Sequence, residues 1–181
     1  VDLRGFSRLT YNLPSAELLR LLGEYQQIVA QGVFDNGGVV DKFLGDGVLA
    51  HFGIAGDLSN ISASALKAAE QIDADLQEWC QKKNQSGLGV AFGIALTQGT
   101  VTFGVIGHPD RMEITVLGES VNRAAKYEKY TKELGHRLII DPELFARALS
   151  EGHAVSGEYQ QFENVHVPGL PNSQHIVARI S

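Results

Sequence analysis

The chain has 181 residues, a formal net charge of −6, 44% hydrophobic residues and 20% charged residues. That length fits one domain with a substantial core, and the composition is ordinary for a globular protein. The acidic residues are scattered and no basic stripe exists, which argues against nucleic-acid binding; no apolar run approaches the ~18 residues of a membrane span.

The chain opens on Val1-Asp2-Leu3, which reads as the middle of a strand with no Met before it, so a piece of a longer protein is expected. Residues 1–6 are the end of that strand. Residues 14–33 read as a helix entered at Pro14-Ser15, with Leu18, Leu19, Leu22, Tyr25, Val29 and Val33 at three-to-four spacing. Asn36-Gly37-Gly38 ends that unit. Two apolar segments follow, Val39 to Leu44 and Val48 to Phe52, separated by Gly45-Asp46-Gly47, a strong short-range hairpin signal.

Residues 61–83 read as a second helix, its stripe running through Ala65, Leu66, Ala69, Ile72, Leu76, Trp79 and Cys80. Cys80 is the single cysteine, so no internal disulfide forms, which fits a reducing compartment. On that stripe it reads as a small buried hydrophobe. Residues 88–97 and 100–106 read as two strands about Gln98-Gly99, Pro109-Asp110 as a turn, and 113–117 as a short strand. A third helix spans roughly 119–133, then a strand at 137–140 and a short helix at 142–149. The tail, 157–179, suggests two strands with Pro168-Gly169 between them.

The opening order is β-α-β-β-α-β. It predicts an α+β fold with a ferredoxin-like core, an antiparallel sheet with helices packed on one face, and extra C-terminal α/β elements. Residues 1–181 form one domain in this reading. The first strand is expected to be central and beside the hairpin, so Asp2 and Asp46 meet at one end of the sheet. Two close carboxylates repel, and a hard divalent cation such as Mg²⁺ or Mn²⁺ removes the conflict. Leu3-Arg4-Gly5-Phe6-Ser7 follows Asp2; Gly5 allows a tight turn, and the loop N–H groups suit phosphate oxygens near a helix start. The six histidines show no metal-ligand spacing, and His51 and His108 read as structural or solvent-facing.

Val1-Asp2-Leu3-Arg4-Gly5-Phe6-Ser7 resembles the opening motif of the class III nucleotidyl cyclases, the adenylate and guanylate cyclases. Asp41-Lys42-Phe43-Leu44-Gly45-Asp46-Gly47-Val48-Leu49-Ala50-His51-Phe52-Gly53 resembles the family's central hairpin. Gly99-Thr100-Val101-Thr102-Phe103-Gly104-Val105-Ile106-Gly107 resembles its next hairpin, and residues 113–128, from Glu113-Ile114-Thr115 through Asn122 to Lys126-Tyr127-Glu128, its late signature. Four ordered motifs at matching spacing are far more specific than any one alone.

The resemblance implies an adenylate cyclase, converting ATP to cyclic AMP and pyrophosphate with two Mg²⁺ or Mn²⁺ ions. Asp2 and Asp46 would be the metal-binding aspartates, with the Leu3 carbonyl as a further ligand. Arg4, Gly5, Phe6 and Ser7 would line the substrate phosphates. Lys42 and Thr115 match the purine-reading pair: a lysine donates to the adenine ring and a threonine hydroxyl accepts from its amine. Guanylate cyclases carry an acid where Lys42 stands. Thr115 resembles the class IIIb subgroup that includes bicarbonate-responsive adenylate cyclases.

Asn122 matches the ribose-orienting asparagine. Lys126 stands where the family usually has arginine; it keeps the charge without the bidentate fork. Pro168 stands where relatives often carry a phosphate-binding lysine, and Thr97 where close relatives often have histidine. In the family each site is shared between subunits, so a cytoplasmic homodimer is implied, without direct membrane contact by this domain and with an upstream sensor or membrane domain as controller. The alternative, motivated by Lys126 and Pro168, is a weak or silent cyclase-fold module for nucleotide binding or dimerisation.

Overall fold

The alternation of apolar residues resolves into one large sheet in a computed structural model that describes residues 1–54 and 59–180. The elements are β1 (Asp2–Arg4), α1 (Phe6–Asn12), α2 (Ser15–Asp35), β2 (Val39–Leu44), β3 (Gly47–His51), α3 (Ile61–Gln85) and β4 (Ala91–Leu96). Then come β5 (Thr102–His108), β6 (Arg111–Leu117), α4 (Glu119–Leu134), β7 (Leu138–Ile140), α5 (Pro142–Ser150), β8 (Tyr159–Val165) and β9 (Gln174–Arg179). Seven strands pair in the order β2-β3-β1-β4-β7-β9-β8, and β5 and β6 form a separate two-stranded ribbon. The sheet is antiparallel except where β4 meets β7. The expected α+β architecture is present, and β1 lies inside the sheet between β3 and β4.

Four features depart from the sequence expectation. Residues 6–12 form a helix of their own, because Leu9 is buried and Phe6 and Leu13 pack beside it on the core. That helix stops at Leu13, which is extended before Pro14 as the proline ring requires. In α2 the buried stripe includes Leu21, while Leu19 faces solvent. Strands β4 and β5 do not pair across Gln98-Gly99; β5 pairs with β6 instead, because both edges of β4 are already taken by β1 and β7.

The fourth departure concerns the helices, which occupy both faces of the sheet. Strand β7 is buried at every residue: Leu138 and Ile140 point into the core with α2, α3 and α5, whereas Ile139 joins Tyr127 of α4 in a second cluster. Successive strand residues point to opposite faces, so α4 lies on the side away from α2 and α3. Strand β9 repeats the pattern, with Val177 in the first cluster and Ile176 and Ala178 in the second. A short central strand that is apolar throughout is the sign of burial on two faces.

Polar ties lock the C-terminal elements onto α3. Asp73, 1% exposed, accepts two hydrogen bonds from Arg137 at 2.8 and 3.1 Å and faces Arg179 at 3.2 Å. Glu70 accepts from the Tyr159 hydroxyl at 2.7 Å and the Ser156 N–H at 2.9 Å, and meets His153 Nε2 at 2.9 Å. Cys80 is buried, and burial pushes its thiol up to about 11, so it is no nucleophile at neutral pH. Removing one partner of a buried ion pair leaves the other uncompensated. Asp73→Ala is therefore expected to lower unfolding stability by roughly 3 kcal/mol in denaturant titration; a loss no larger than that of an ordinary surface substitution would contradict the anchoring role.

Candidate active site

The metal end of the site follows from the pleat of β1. Leu3 is buried in the core, so Asp2 and Arg4 project to the opposite face. Asp2 pairs with Gly47, and the Leu3 N–H donates to the Asp46 carbonyl at 3.0 Å. The hairpin turn is thereby fastened to the strand that carries Asp2. Gly45 has φ 71°, the left-handed first position of a type II′ turn, which tightens the loop to the two residues Gly45 and Asp46. Gln26 of α2 donates to the Gly45 carbonyl at 3.2 Å and steadies that turn.

Asp2 and Asp46 are thus brought together, and their charges conflict. Burial, the carboxylate of Glu128 and that of Asp46 push Asp2 up to about 6, against the opposing charge of Arg4. Residues whose carboxyls repel in this way suit a hard divalent cation. Within a strand a residue's N–H and C=O point to the same side, so the Leu3 carbonyl also faces the Asp46 turn. The donor set is therefore all oxygen and fits Mg²⁺ or Mn²⁺. Among the described residues no group of three His, Cys, Asp or Glu side chains converges on a metal position, so the rest of the coordination would come from Leu3, water and substrate.

The phosphate segment is only partly open. Gly5 caps α1 with φ 85°, and a side chain there would press on the Gly89 carbonyl at 3.0 Å. The Phe6 ring packs on the core, Ser7 is exposed, and the guanidinium of Arg4 donates to the Thr131 hydroxyl of α4. Arg4 is therefore held beneath α4.

Lys42 and Thr115, which the resemblance pairs, do meet. Lys42 Nζ lies 2.7 Å from Thr115 Oγ1, across 73 residues of sequence. Two residues outside the expected set join them: Glu113 Oε1 at 2.5 Å and Asp41 Oδ2 at 3.5 Å from the same ammonium. The contact between Lys42 and Glu113 holds the lysine above its ordinary pKa and the glutamate below its own. A register shift between Val40 and Lys42 leaves Asp41 unpaired in the ladder, and such a bulge re-aims neighbouring side chains. The Asp41 side chain is 3% exposed and its Oδ2 finds no hydrogen-bond partner among the described residues, so Lys42 is its charge partner there. Glu113 had a readable signal, since it lies two residues before Thr115 and so on the same face of β6.

Asn122 and Lys126 are one helical turn apart on α4 and share a face. Asn122 is exposed, and the Lys126 side chain runs along Gly169 in the turn after Pro168. Glu128 lies two residues on, a little over half a turn away, and meets Gly93 of β4, the cross-strand partner of Asp2. By helical spacing Asn122 and Lys126 lie on a side of α4 away from Glu128 and Thr131, which meet Gly93. Thr97 donates to the Ser120 carbonyl at 2.8 Å, a structural tie at the start of α4.

Asp2 also generates a pH test. Its folded pKa of about 6 exceeds the ordinary 3.8, so between those values the folded state holds more protons than the unfolded. Stability from this group therefore falls as pH rises through about 4 to 6. Relative to Asp2→Asn, the metal-free chain should lose melting temperature across that window, and Mn²⁺ should raise it above pH 6 but not at pH 4. Identical pH profiles for the two proteins would contradict the assignment.

No family model matches the chain. Among curated proteins it is 29% identical over 140 residues to an adenylate cyclase of Anabaena cylindrica, a match covering 77% of this chain and 28% of that protein. It is 32% identical over 177 residues to an uncharacterized protein of Mycobacterium tuberculosis, covering 97% of this chain and 30% of the other. The chain thus spans less than a third of the length of these two relatives. Among solved structures it matches the adenylyl cyclase CyaB from P. aeruginosa with TM-score 0.80 and 22% identity, over 99% of this chain and 90% of that one. It matches the guanylyl cyclase Cya2 with TM-score 0.73 and 24% identity, over 98% and 87%. Its curated relatives thus include proteins named adenylate cyclase, and its fold is that of the class III adenylyl and guanylyl cyclase catalytic domains.

Proposed function

We propose that this domain is an adenylate cyclase, closing the ribose 3′-oxygen of ATP onto its α-phosphorus with loss of pyrophosphate. The observation that carries the choice of ATP is the Lys42–Thr115 hydrogen bond at 2.7 Å. A lysine donor and a threonine acceptor side by side match adenine, whose ring nitrogen accepts and whose amine donates. Guanine presents the reverse pattern on that edge, so Lys42 opposes GTP. The structural neighbours include both adenylyl and guanylyl cyclases, so the fold alone does not choose between them.

Asp2, Asp46 and the Leu3 carbonyl would hold Mg²⁺ or Mn²⁺, which when bound supplies charge neutralisation for the triphosphate and acidity for the 3′-hydroxyl. The N–H groups at the start of α1 would donate to phosphate oxygens. Asn122 would orient the ribose, and the Lys126 ammonium would meet charge developing on the α-phosphate. The 3′ O–P bond forms, the bond to the pyrophosphate oxygen breaks, and the hydroxyl proton leaves to solvent.

The two faces of α4 support a site shared between two copies of the chain. Asn122 and Lys126 lie on the side away from Glu128 and Thr131 and would be available to a neighbour's metal end. The ribbon β5–β6 supports the same assembly: Glu113 and Thr115 occupy the face toward Lys42, while Val105, Met112 and Ile114 on the opposite face are exposed and apolar. A second reading, a weak or silent nucleotide-binding module, draws on Lys126 in place of arginine and on Pro168 beside it. The retained pair Asp2 and Asp46 favours the active enzyme.

The test is an assay of the purified chain with ATP or GTP and Mg²⁺ or Mn²⁺. Cyclic AMP from ATP should form and should vanish in Asp46→Ala. Lys126→Ala should cut turnover by about a hundredfold, and Lys126→Arg should raise it. ATP binding without product in either metal would leave the silent module. For the assembly, Val105→Glu is expected to shift the chain from dimer to monomer in sedimentation analysis and to reduce activity by at least about tenfold; a fully active monomer would refute the shared site.

A further inference from the structure

A polar cluster beneath α4 lies outside the groups assigned above. The pleat of β1 places Asp2 and Arg4 on this face, and Gly93 is the direct partner of Asp2 in β4. Gly93 is buried and its missing side chain leaves a space that three polar groups fill. A Cβ there would overlap Glu128 Oε1 and Thr131 Oγ1 and come within 3.0 Å of Arg4 Nη2. Thr131 is fully buried; its hydroxyl receives the Arg4 guanidinium and donates back to the Glu128 carbonyl. Glu128 thus reaches under the helix toward the strand that carries Asp2.

We infer that Glu128 and Arg4 are an opposed pair of positioning residues for Asp2, and that together they set how tightly the metal end of the site holds a divalent cation. The inference rests on the reading of Asp2 and Asp46 as metal ligands. Glu128 does not complete a three-carboxylate cage among the described residues, so it acts through the field at Asp2 and not as a ligand. Its carboxylate is half-buried, and at that depth water screens it less than at the surface. Glu128 Oε1 sits over Gly93, the direct cross-strand partner of Asp2, so the two carboxylates share one face of the sheet and a cation at Asp2 relieves their repulsion. The Arg4 guanidinium lies over the same Gly93 as Glu128, so its positive charge partly cancels that field. Thr131 fixes Arg4 in place, and Gly93 provides the room. A purely structural role would fill the same space without this opposition of sign.

The two variants therefore move cation affinity in opposite directions. Mn²⁺ binding to the full chain is measured from the loss of the free-ion electron paramagnetic resonance signal, at pH 7.5 and low salt. Glu128→Gln is expected to weaken binding about tenfold, with Glu128→Asp within about twofold of the parent. Arg4→Gln, which keeps an amide donor for Thr131, is expected to tighten binding several-fold. Added salt should shrink the differences. Unchanged binding in Glu128→Gln, or a weakening in both charge-removing variants, would overturn the inference. Should Glu128→Gln fail to fold, Arg4→Gln decides: tighter binding supports the pair, and unchanged or weaker binding overturns it. A parent chain that binds no Mn²⁺ would instead refute the metal reading itself, which keeps the two failures distinct.

Discussion

The repulsion between the carboxylates of Asp2 and Asp46 is the constraint around which the rest of the site is arranged. Left alone, two such groups would move apart. Here they are held by backbone: the Leu3 N–H fastens the hairpin turn to β1, and Leu3 itself anchors β1 in the core. The strand is only three residues long, yet both of its edges are paired. Its position is fixed by its neighbours, and the cost of the repulsion is carried by the whole sheet. A fold that holds like charges together before a ligand arrives is pre-organised for a cation.

Helix α4 extends the same logic to the other half of the site. Its inner face, through Glu128 and Thr131, grips the metal-bearing strand. Its outer face presents Asn122 and Lys126. One rigid helix thus links the metal end of a chain to the groups that chain would offer a partner. In the proposed dimer, subunit orientation would be a natural control point, since a rotation of one copy would move Asn122 and Lys126 relative to the neighbour's aspartates. In the proposed site, Lys126 in place of arginine would weaken the grip on phosphate in that half alone, because a point charge lacks the planar fork.

Much of this was legible in the residues, and the exceptions have physical causes. The spacing of Ala65, Leu66, Ala69, Ile72, Leu76, Trp79 and Cys80 predicts α3, and all seven are buried. The Gly45-Asp46 turn and the central place of β1 follow from local turn chemistry and element order. The second layer of α4 does not, because the face a helix packs on is decided by which strands are buried on both sides, and the apolar run Leu138-Ile139-Ile140 is too short to announce it. Nor does the pairing of β5 with β6, which depends on the edges of β4 being occupied. Among the site residues, Lys42 and Thr115 are drawn together as the resemblance implies. Glu113 shares the face of Thr115 and is readable by spacing, whereas Asp41 and Glu128 are not, because single acids on a strand or helix surface are ordinary and only the three-dimensional contact gives them meaning. Arg4 illustrates the converse, since its place in the opening motif suggests phosphate while its guanidinium is committed to Thr131.

The central claim is that each site takes Asp2 and Asp46 from one copy and Asn122 and Lys126 from another. The most direct measurement mixes two inactive variants, Asp46→Ala and Asn122→Ala, after subunit exchange. Half of the dimers would then be mixed, each with one intact site, so the account predicts recovery to about a quarter of the parent activity. A mixture as inactive as its components, with exchange verified, would contradict it.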